Sequence, residues 1–451
     1  MYVKSITLEN FKGFKHVEFD FRRPDGGYAG WTVFVGGNAS GKSALLRGIA
    51  LALMGPDASR QLLGSPADWK GWMHKDERRA ETLVEIAWDE NRDNFKMRGK
   101  LPGHSFEAGI RFVMESKDSL VPVLRPAERR SKQGTRILTA LRGPWDPNAG
   151  GWFSAGYGPM RRLSGSSSES IRFSVGRGAV SRFVTLFRED AALSESEAWL
   201  KTNYSRFLET KSREQRELLR GVQAMLNDEL LPHGMQISRI TVDHVFIRDK
   251  SGLELPMRDI SDGCRSVYAT VLDLVHGMFE VYGIEGLFEE KNGRPIVICP
   301  GVVLVDEIEA HLHPAWQRDI PEWLKGHFPN VQFLVTTHSP LVAQAADQNG
   351  VFAMPSQSDT DRKPRPLEQE EIERLRLGRA EKTLLGVAFG LQTVRSSWAN
   401  QQIERWRRLN AKSKSSAGLT PVEREDLEEL RRQMNLAFER GTESGDAALA
   451  S

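Results

Sequence analysis

Cysteine is nearly missing: Cys264 and Cys299 are the two in 451 residues. So small a number excludes a disulfide-stapled secreted domain and cannot supply a zinc site. Excess charge is missing too, with 62 Lys and Arg against 60 Asp and Glu. No bulk attraction to nucleic acid follows from that balance. No apolar run reaches the ~18 residues of a membrane-spanning helix. The opening "MYVKSITLENFKGF" alternates apolar and charged residues, so it reads as a strand rather than a secretory signal. These absences leave a soluble, cytoplasmic chain with no membrane partner, long enough for two or three domains' worth of core.

Charge is uneven locally. Arg125 to Arg182 holds eleven Lys or Arg and three acids, Glu128, Asp146 and Glu169. Such a stretch suits the phosphates of a nucleic acid or an acidic partner, and equally a solvated basic face.

The most informative segment is "WTVFVGGNASGKSALLRGIALALMG". Trp31 to Val35 is a short, β-branched apolar strand, and Ala44 to Leu53 continues as a helix. Between them Gly36, Gly37, Asn38, Ala39, Ser40, Gly41, Lys42 and Ser43 spell G-x-x-x-x-G-K-S, with Ala44 beginning the helix proper. Phosphates need backbone amides pointing inward, which glycines permit, and a helix N-terminus adds its positive end. Lys42 is placed to reach the β- and γ-phosphates and the Ser43 hydroxyl to ligate Mg²⁺. The expected cofactors are therefore ATP and Mg²⁺. The pattern alone arises in about one random chain in forty of this length, so the flanking strand and helix decide the matter.

"GVVLVDEIEAHLHP" is an apolar strand ending in Asp306 and Glu307. Ligands gather at the carboxyl ends of such buried parallel strands. Asp306 is the expected Mg²⁺ ligand, and Glu307 is placed to orient and deprotonate the attacking water. "NVQFLVTTHSPLVAQ" repeats the form, with His338 after the strand as a candidate sensor of the γ-phosphate. "RDISDGCRS" stands before the long apolar run "VYATVLDLVHGMFEVYG". Ser261 there suits a helix N-cap, where its hydroxyl would satisfy first-turn amides.

Taken in order, "LENFKGF", "GGNASGKS", "ISDGCRS", "LVDEIEAHLHP" and "TTHSP" resemble the ABC-type ATPases outside transporters, namely the RecF-like, SMC-like and overcoming-lysogenization-defect (OLD) proteins. The resemblance covers about residues 1–355. It implies an α/β P-loop NTPase fold, with a mixed central sheet flanked by helices and an antiparallel β subdomain. It also implies a head-to-tail dimer in which Ser261, Gly263 and the helix after them meet the γ-phosphate held by the other copy. Asp262 and Cys264 depart from transporter signatures, which carry Gly there. The whole layout resembles the ATPase subunits of bacterial anti-phage systems such as Septu and PARIS. Their partners are, respectively, an HNH nuclease and a toxin-like effector. That implies an ATP-dependent switch controlling a separate effector, bound through the C-terminal helices.

The alternative from another class is a RecF-like DNA-binding ATPase of repair, with the basic stretch as its footprint. A transporter motor fits poorly, because Lys42 and Ser261 lie far apart in the chain. An OLD-type nuclease fits poorly too, because Asp359-Thr-Asp361 has no apolar strand around it. "YGPMRRL" resembles a segment of defence-associated ATPases, but sequence gives it no chemistry.

The expected organisation is an ATPase domain over 1–355 with a helical insertion at 185–232, then a linker and helix over 356–395. A helical hairpin follows at 396–440, and 441–451 is expected to be disordered. In the hairpin Trp398, Ile403, Trp406 and Leu409 lie near one face. Thr420-Pro421-Val422-Glu423 forms a capping box, and Leu427, Leu430, Met434 and Phe438 recur at helical spacing. Strands are expected at "ETLVEIAW" and "GIRFVM", a hairpin at "HVFIRDKSGLELP", and a mobile loop in the Gly/Ser-rich part of "GWFSAGYGPMRRLSGSSSES".

Overall fold

The structure, a computed structural model, describes residues 1–96, 101–127, 139–161, 178–355, 364–386, 388–389, 391, 393–414 and 418–438. The chain divides into two units, Met1–Gly390 and Leu391–Ser451.

A six-stranded sheet organises the first unit. From one edge to the other, with numbers in chain order, it runs β16 (Arg365–Pro366), β15 (Val351–Ala353), β3 (Gly30–Val35), β14 (Val331–Thr337), β13 (Gly301–Val305) and β7 (Ser154–Tyr157). All but β16 are parallel to their neighbours. Such strands are covered on both faces, so both sets of alternating side chains must be apolar. Trp31, Val33, Val35, Val303, Val305, Phe333 and Val335 enter one core. Phe34, Val302, Leu304, Leu334 and Phe352 enter the other.

The second core also takes in the helix Lys42–Leu62 and a five-stranded antiparallel sheet. That sheet runs in the order β2 (Phe14–Asp20), β1 (Tyr2–Phe11), β4 (Arg79–Ala87), β5 (Ser105–Val113) and β6 (Val123–Pro126). The strands expected from "ETLVEIAW" and "GIRFVM" are β4 and β5. The first core is completed by the helices Ser194–Thr210, Arg213–Asn227, Asp262–Tyr282 and Pro314–His327. The expected hairpin forms as β9 (Val245–Arg248) and β10 (Glu254–Pro256), with β8 (Gln236–Ile240) as a third strand, and β11 (Phe288–Lys291) and β12 (Arg294–Val297) pair as a separate two-stranded sheet. Asp249 Oδ1 accepts from the amides of Ser251 and Leu253, and Gly252 closes the turn at φ 88°. The three-stranded sheet leads the chain into Asp262–Tyr282.

Two features differ from the sequence reading. β7 has no counterpart there, because "SAGY" has no β-branched residue. Its small residues are what the helix Ala179–Phe187 requires: a Cβ on Gly156 would lie 2.5 Å from the Phe183 ring. The first unit also continues past residue 355, to Gly390. β16 pairs with β15, and the helix Gln369–Leu377 buries Ile372 and Leu375 in the first core. Asp359 and Asp361 lie outside the described residues.

The second unit contains the helices Ser397–Ser413 and Pro421–Phe438. Leu409, Leu427 and Leu430 form its small core, with Trp406 and Leu419 packed against them. Trp398 stays 64% exposed, so the two tryptophans part company. The capping box is present: the Thr420 amide donates to Glu423 Oε2 at 2.9 Å and the Glu423 amide to Thr420 Oγ1 at 3.3 Å. No helix among the described residues is long and apolar enough to cross a membrane.

Candidate nucleotide site

Three adjacent parallel strands deliver the sequence candidates to one edge. Val35 pairs with Thr337, and Val305 with Val335. The residues that follow these pairs, Gly36 after β3, His338 after β14 and Asp306 after β13, therefore emerge side by side.

The loop after β3 has a backbone that ordinary residues resist. Gly36 has φ 156°, Ala39 φ 59° and Gly41 φ 95°. At Gly36 a Cβ would come 2.9 Å from Met354, and at Gly41 it would come 2.4 Å from the Phe14 ring. Phe14 belongs to the "FKGF" turn, which thus forms the floor of the loop. Gly37, Asn38 and Ala39 are exposed at the apex, whereas Ser40 is buried, its hydroxyl without a partner among the described residues. Ser43 and Ala44 sit half-buried in the first helical turn. Gly41 occupies the N-cap with no side-chain bond to the first-turn amides. Those amides and the positive end of the helix suit an anion.

Lys42 is 5% exposed, and its ammonium donates to the carbonyls of Gly36 at 2.8 Å and Gly37 at 2.9 Å. Burial lowers its pKa, opposed by the nearby Asp306, Glu307 and Glu309 carboxylates. A cation folded back on its own loop, facing a group of acids, fits a magnesium-bound triphosphate better than a bare phosphate.

Asp306 is 1% exposed. Its Oδ1 accepts the Thr336 hydroxyl at 2.5 Å, and the same Thr336 oxygen accepts the Glu307 amide at 2.8 Å. One threonine on β14 thus fixes both acids after β13. Glu307 is half-buried and left-handed, φ 46°, a conformation costing about 1–2 kcal/mol for a residue with a Cβ. Glu309 also meets β14: its Oε2 accepts the Thr337 hydroxyl at 2.6 Å and its Oε1 the His338 amide at 2.5 Å. His338 is half-buried beside them, and Ser339 caps the short helix Pro340–Gln344. Among the described residues no set of three or more His, Cys, Asp or Glu forms a metal site by itself. Ser43 and Asp306 fit a Mg²⁺ whose remaining ligands would be phosphate oxygens and water.

Sequence reasoning assigns no role to Thr336, Glu309 or Arg161. Arg161 ends the described part of "YGPMRRL" and lies buried behind the acidic turn. Its guanidinium donates to the carbonyls of Gly158 at 2.8 Å, Asp306 at 2.9 Å, Glu307 at 3.1 Å and Ile308 at 3.2 Å. Burial brings its pKa down to about 10, with Glu309, Asp306 and Glu307 opposing, so it remains a cation at neutral pH. From the same segment, the Tyr157 hydroxyl donates to Asp273 Oδ2 at 2.9 Å, in Asp262–Tyr282. Ser196 donates to Asp273 Oδ1 at 2.8 Å.

Ser261 and Gly263 belong to another element, the start of Asp262–Tyr282. No hydrogen bond among the described residues joins either to the loop 36–44. Ser261 occupies the N-cap of Asp262–Tyr282, exposed, and makes no side-chain capping bond. The expected N-cap bond is therefore not formed. Gly263 is packed against its own chain, where a Cβ would lie 2.5 Å from the His311 carbonyl oxygen.

The basic stretch is weaker as a surface than its count suggests. Arg161 is buried on carbonyls, Arg182 is half-buried with Nε donating to the Ser154 carbonyl, and Arg125 pairs with Glu115. Seven of its eleven basic residues, Arg129 and Arg130 among them, lie outside the described residues.

The family described as "AAA domain, putative AbiEii toxin, Type IV TA system" matches residues 31–343, from β3 to the helix after His338. The Septu protein PtuA of Bacillus mycoides (strain KBAB4) is 25% identical over 350 residues, 75% of this chain and 38% of that protein. The Retron Ec83 probable ATPase of Escherichia coli is 32% identical over 120 residues, 27% of this chain and 20% of that protein. The chain thus matches less than two fifths of the length of either relative. Among solved structures, the SMC head bound to the C-winged helix domain of ScpA aligns with a TM-score of 0.44 and 17% identity, over 82% of this chain and 99% of that one.

Proposed function

The chain belongs to this AAA-domain family, and we propose that it binds and hydrolyses ATP with Mg²⁺ as the switch subunit of an anti-phage defence system. The observation that carries the reading is the shared edge of β3, β14 and β13, which gathers Lys42, His338, Asp306 and Glu307. Lys42 would move from its loop carbonyls to the β- and γ-phosphates, a charge-assisted exchange. Ser43 and Asp306 would hold the metal, and Glu307 would orient the attacking water and accept its proton. When bound, Mg²⁺ neutralises charge developing on the transferred phosphoryl group. His338, its amide held by Glu309, would report the γ-phosphate.

The defence setting is supported by the Septu and retron relatives. Closure of two copies head to tail is supported by Ser261, whose exposed hydroxyl leaves the first-turn amides uncapped and open to a neighbour's phosphate. The separate effector would dock on the second unit, where Trp398 is an exposed aromatic of the kind that anchors interfaces.

Site-directed variants test the chemistry. Glu307→Gln should keep nucleotide affinity and lose about 10²- to 10⁴-fold in turnover, the range for removing a general base. Lys42→Ala should lose nucleotide binding, and chelation of Mg²⁺ should stop hydrolysis in the wild type. Wild-type turnover in Glu307→Gln would contradict the assignment.

A further inference from the structure

The acidic turn after β13 closes on itself through the Ala310 amide, which donates to the Glu307 carbonyl at 2.9 Å, and is also held from outside. Three successive carbonyls, of Asp306, Glu307 and Ile308, face the same way, and the middle residue is left-handed. Such a turn concentrates negative dipole ends in a buried place, where unpaired carbonyls are costly. The Arg161 guanidinium meets all three at 2.9–3.2 Å and adds the Gly158 carbonyl of its own segment at 2.8 Å. The planar fork of arginine suits this arrangement, and a lysine ammonium does not. On the other side, Thr336 holds the Glu307 amide. The peptide units around Glu307 are therefore clamped from both faces.

We propose that Arg161 is a positioning residue for Glu307, fixing the direction of its carboxylate toward the attacking water. The proposal rests on the ATPase reading above. Arg161 touches no reacting atom; it acts through the main chain of the acidic turn. This gives "YGPMRRL" a physical role. Tyr157, at the head of the segment, accepts the Asp306 amide at 2.8 Å through its own carbonyl, so Tyr157 and Arg161 hold the same turn. The guanidinium donates to none of the carbonyls of the loop Gly36–Gly41, so nucleotide binding should not depend on it.

Arg161→Lys keeps the charge and removes the fork. Its kcat should fall about 10- to 100-fold, the cost of misplacing a catalytic group by roughly an ångström. The KM for ATP and the nucleotide affinity should stay close to wild type, while the unfolding midpoint falls, since buried carbonyls lose donors. In a Glu307→Gln background the same change should lower the residual rate no further, because its effect runs through the Glu307 carboxylate. An equal loss in both backgrounds would show a merely structural role and overturn the proposal. So would unchanged kcat in Arg161→Lys, or a loss confined to affinity. If Arg161→Lys does not fold, Arg161→Gln, which retains an amide donor pair, carries the same comparison. Failure of the ATPase reading looks different: wild-type protein would not hydrolyse ATP, or Glu307→Gln would match it.

Discussion

Ser261 and Gly263 lie two residues apart in "RDISDGCRS", and their environments predict opposite responses to substitution. Ser261 makes no capping bond, so Ser261→Ala should change stability by less than about 0.5 kcal/mol, as for other surface positions. Gly263→Ala places a Cβ 2.5 Å from the His311 carbonyl, a backbone atom that cannot swing aside. It should cost about 1–3 kcal/mol, the range for overpacking. Denaturant unfolding of the two variants checks this, and the reverse ranking would return Ser261 to the role of a cap. The contrast also shows what sequence can reveal about single residues. Lys42, Ser43, Asp306 and Glu307 are legible because a strand, a loop and a helix next to them in the chain define their setting. Thr336, Glu309 and Arg161 act on partners that only the fold brings near: Thr336 on a carboxylate 30 residues away, Arg161 on a carbonyl 145 away. No local pattern announces such a pairing.

At the scale of elements, strands rich in Val, Phe and Leu are legible, and β7 is not. Its residues are chosen for the close approach of the helix Ala179–Phe187, and close approach reads as a loop when only composition is considered. The helix Gln369–Leu377 is expected from sequence, but its place in the first unit is not, since that depends on β16 pairing with β15. The C-terminal hairpin reads as two helices, with Trp398 and Trp406 near one face of the first. The structure divides them. Trp406→Ala should weaken the hairpin by roughly 2 kcal/mol, less than a fully buried tryptophan, since it is half-buried. Trp398→Ala should leave the hairpin within about 0.5 kcal/mol of wild type. Amide exchange across Ser397–Ser413 reads both, and equal loss of protection in the two variants would mean that Trp398 also belongs to the core.

For the whole molecule, the shared edge of β3, β14 and β13 brings residues spread from Gly36 to His338 into one candidate site, and no hydrogen bond among the described residues ties Ser261 or Gly263 to its phosphate loop. In the proposed head-to-tail dimer, a second copy completes the site. Mixing Ser261→Arg protein with Lys42→Ala protein tests that claim most directly. In a mixed dimer one interface carries both defects and the other carries neither, so ATP turnover should partly recover above that of either variant alone. A mixture as inactive as its components, with subunit exchange demonstrated, would contradict completion of the site by a second copy.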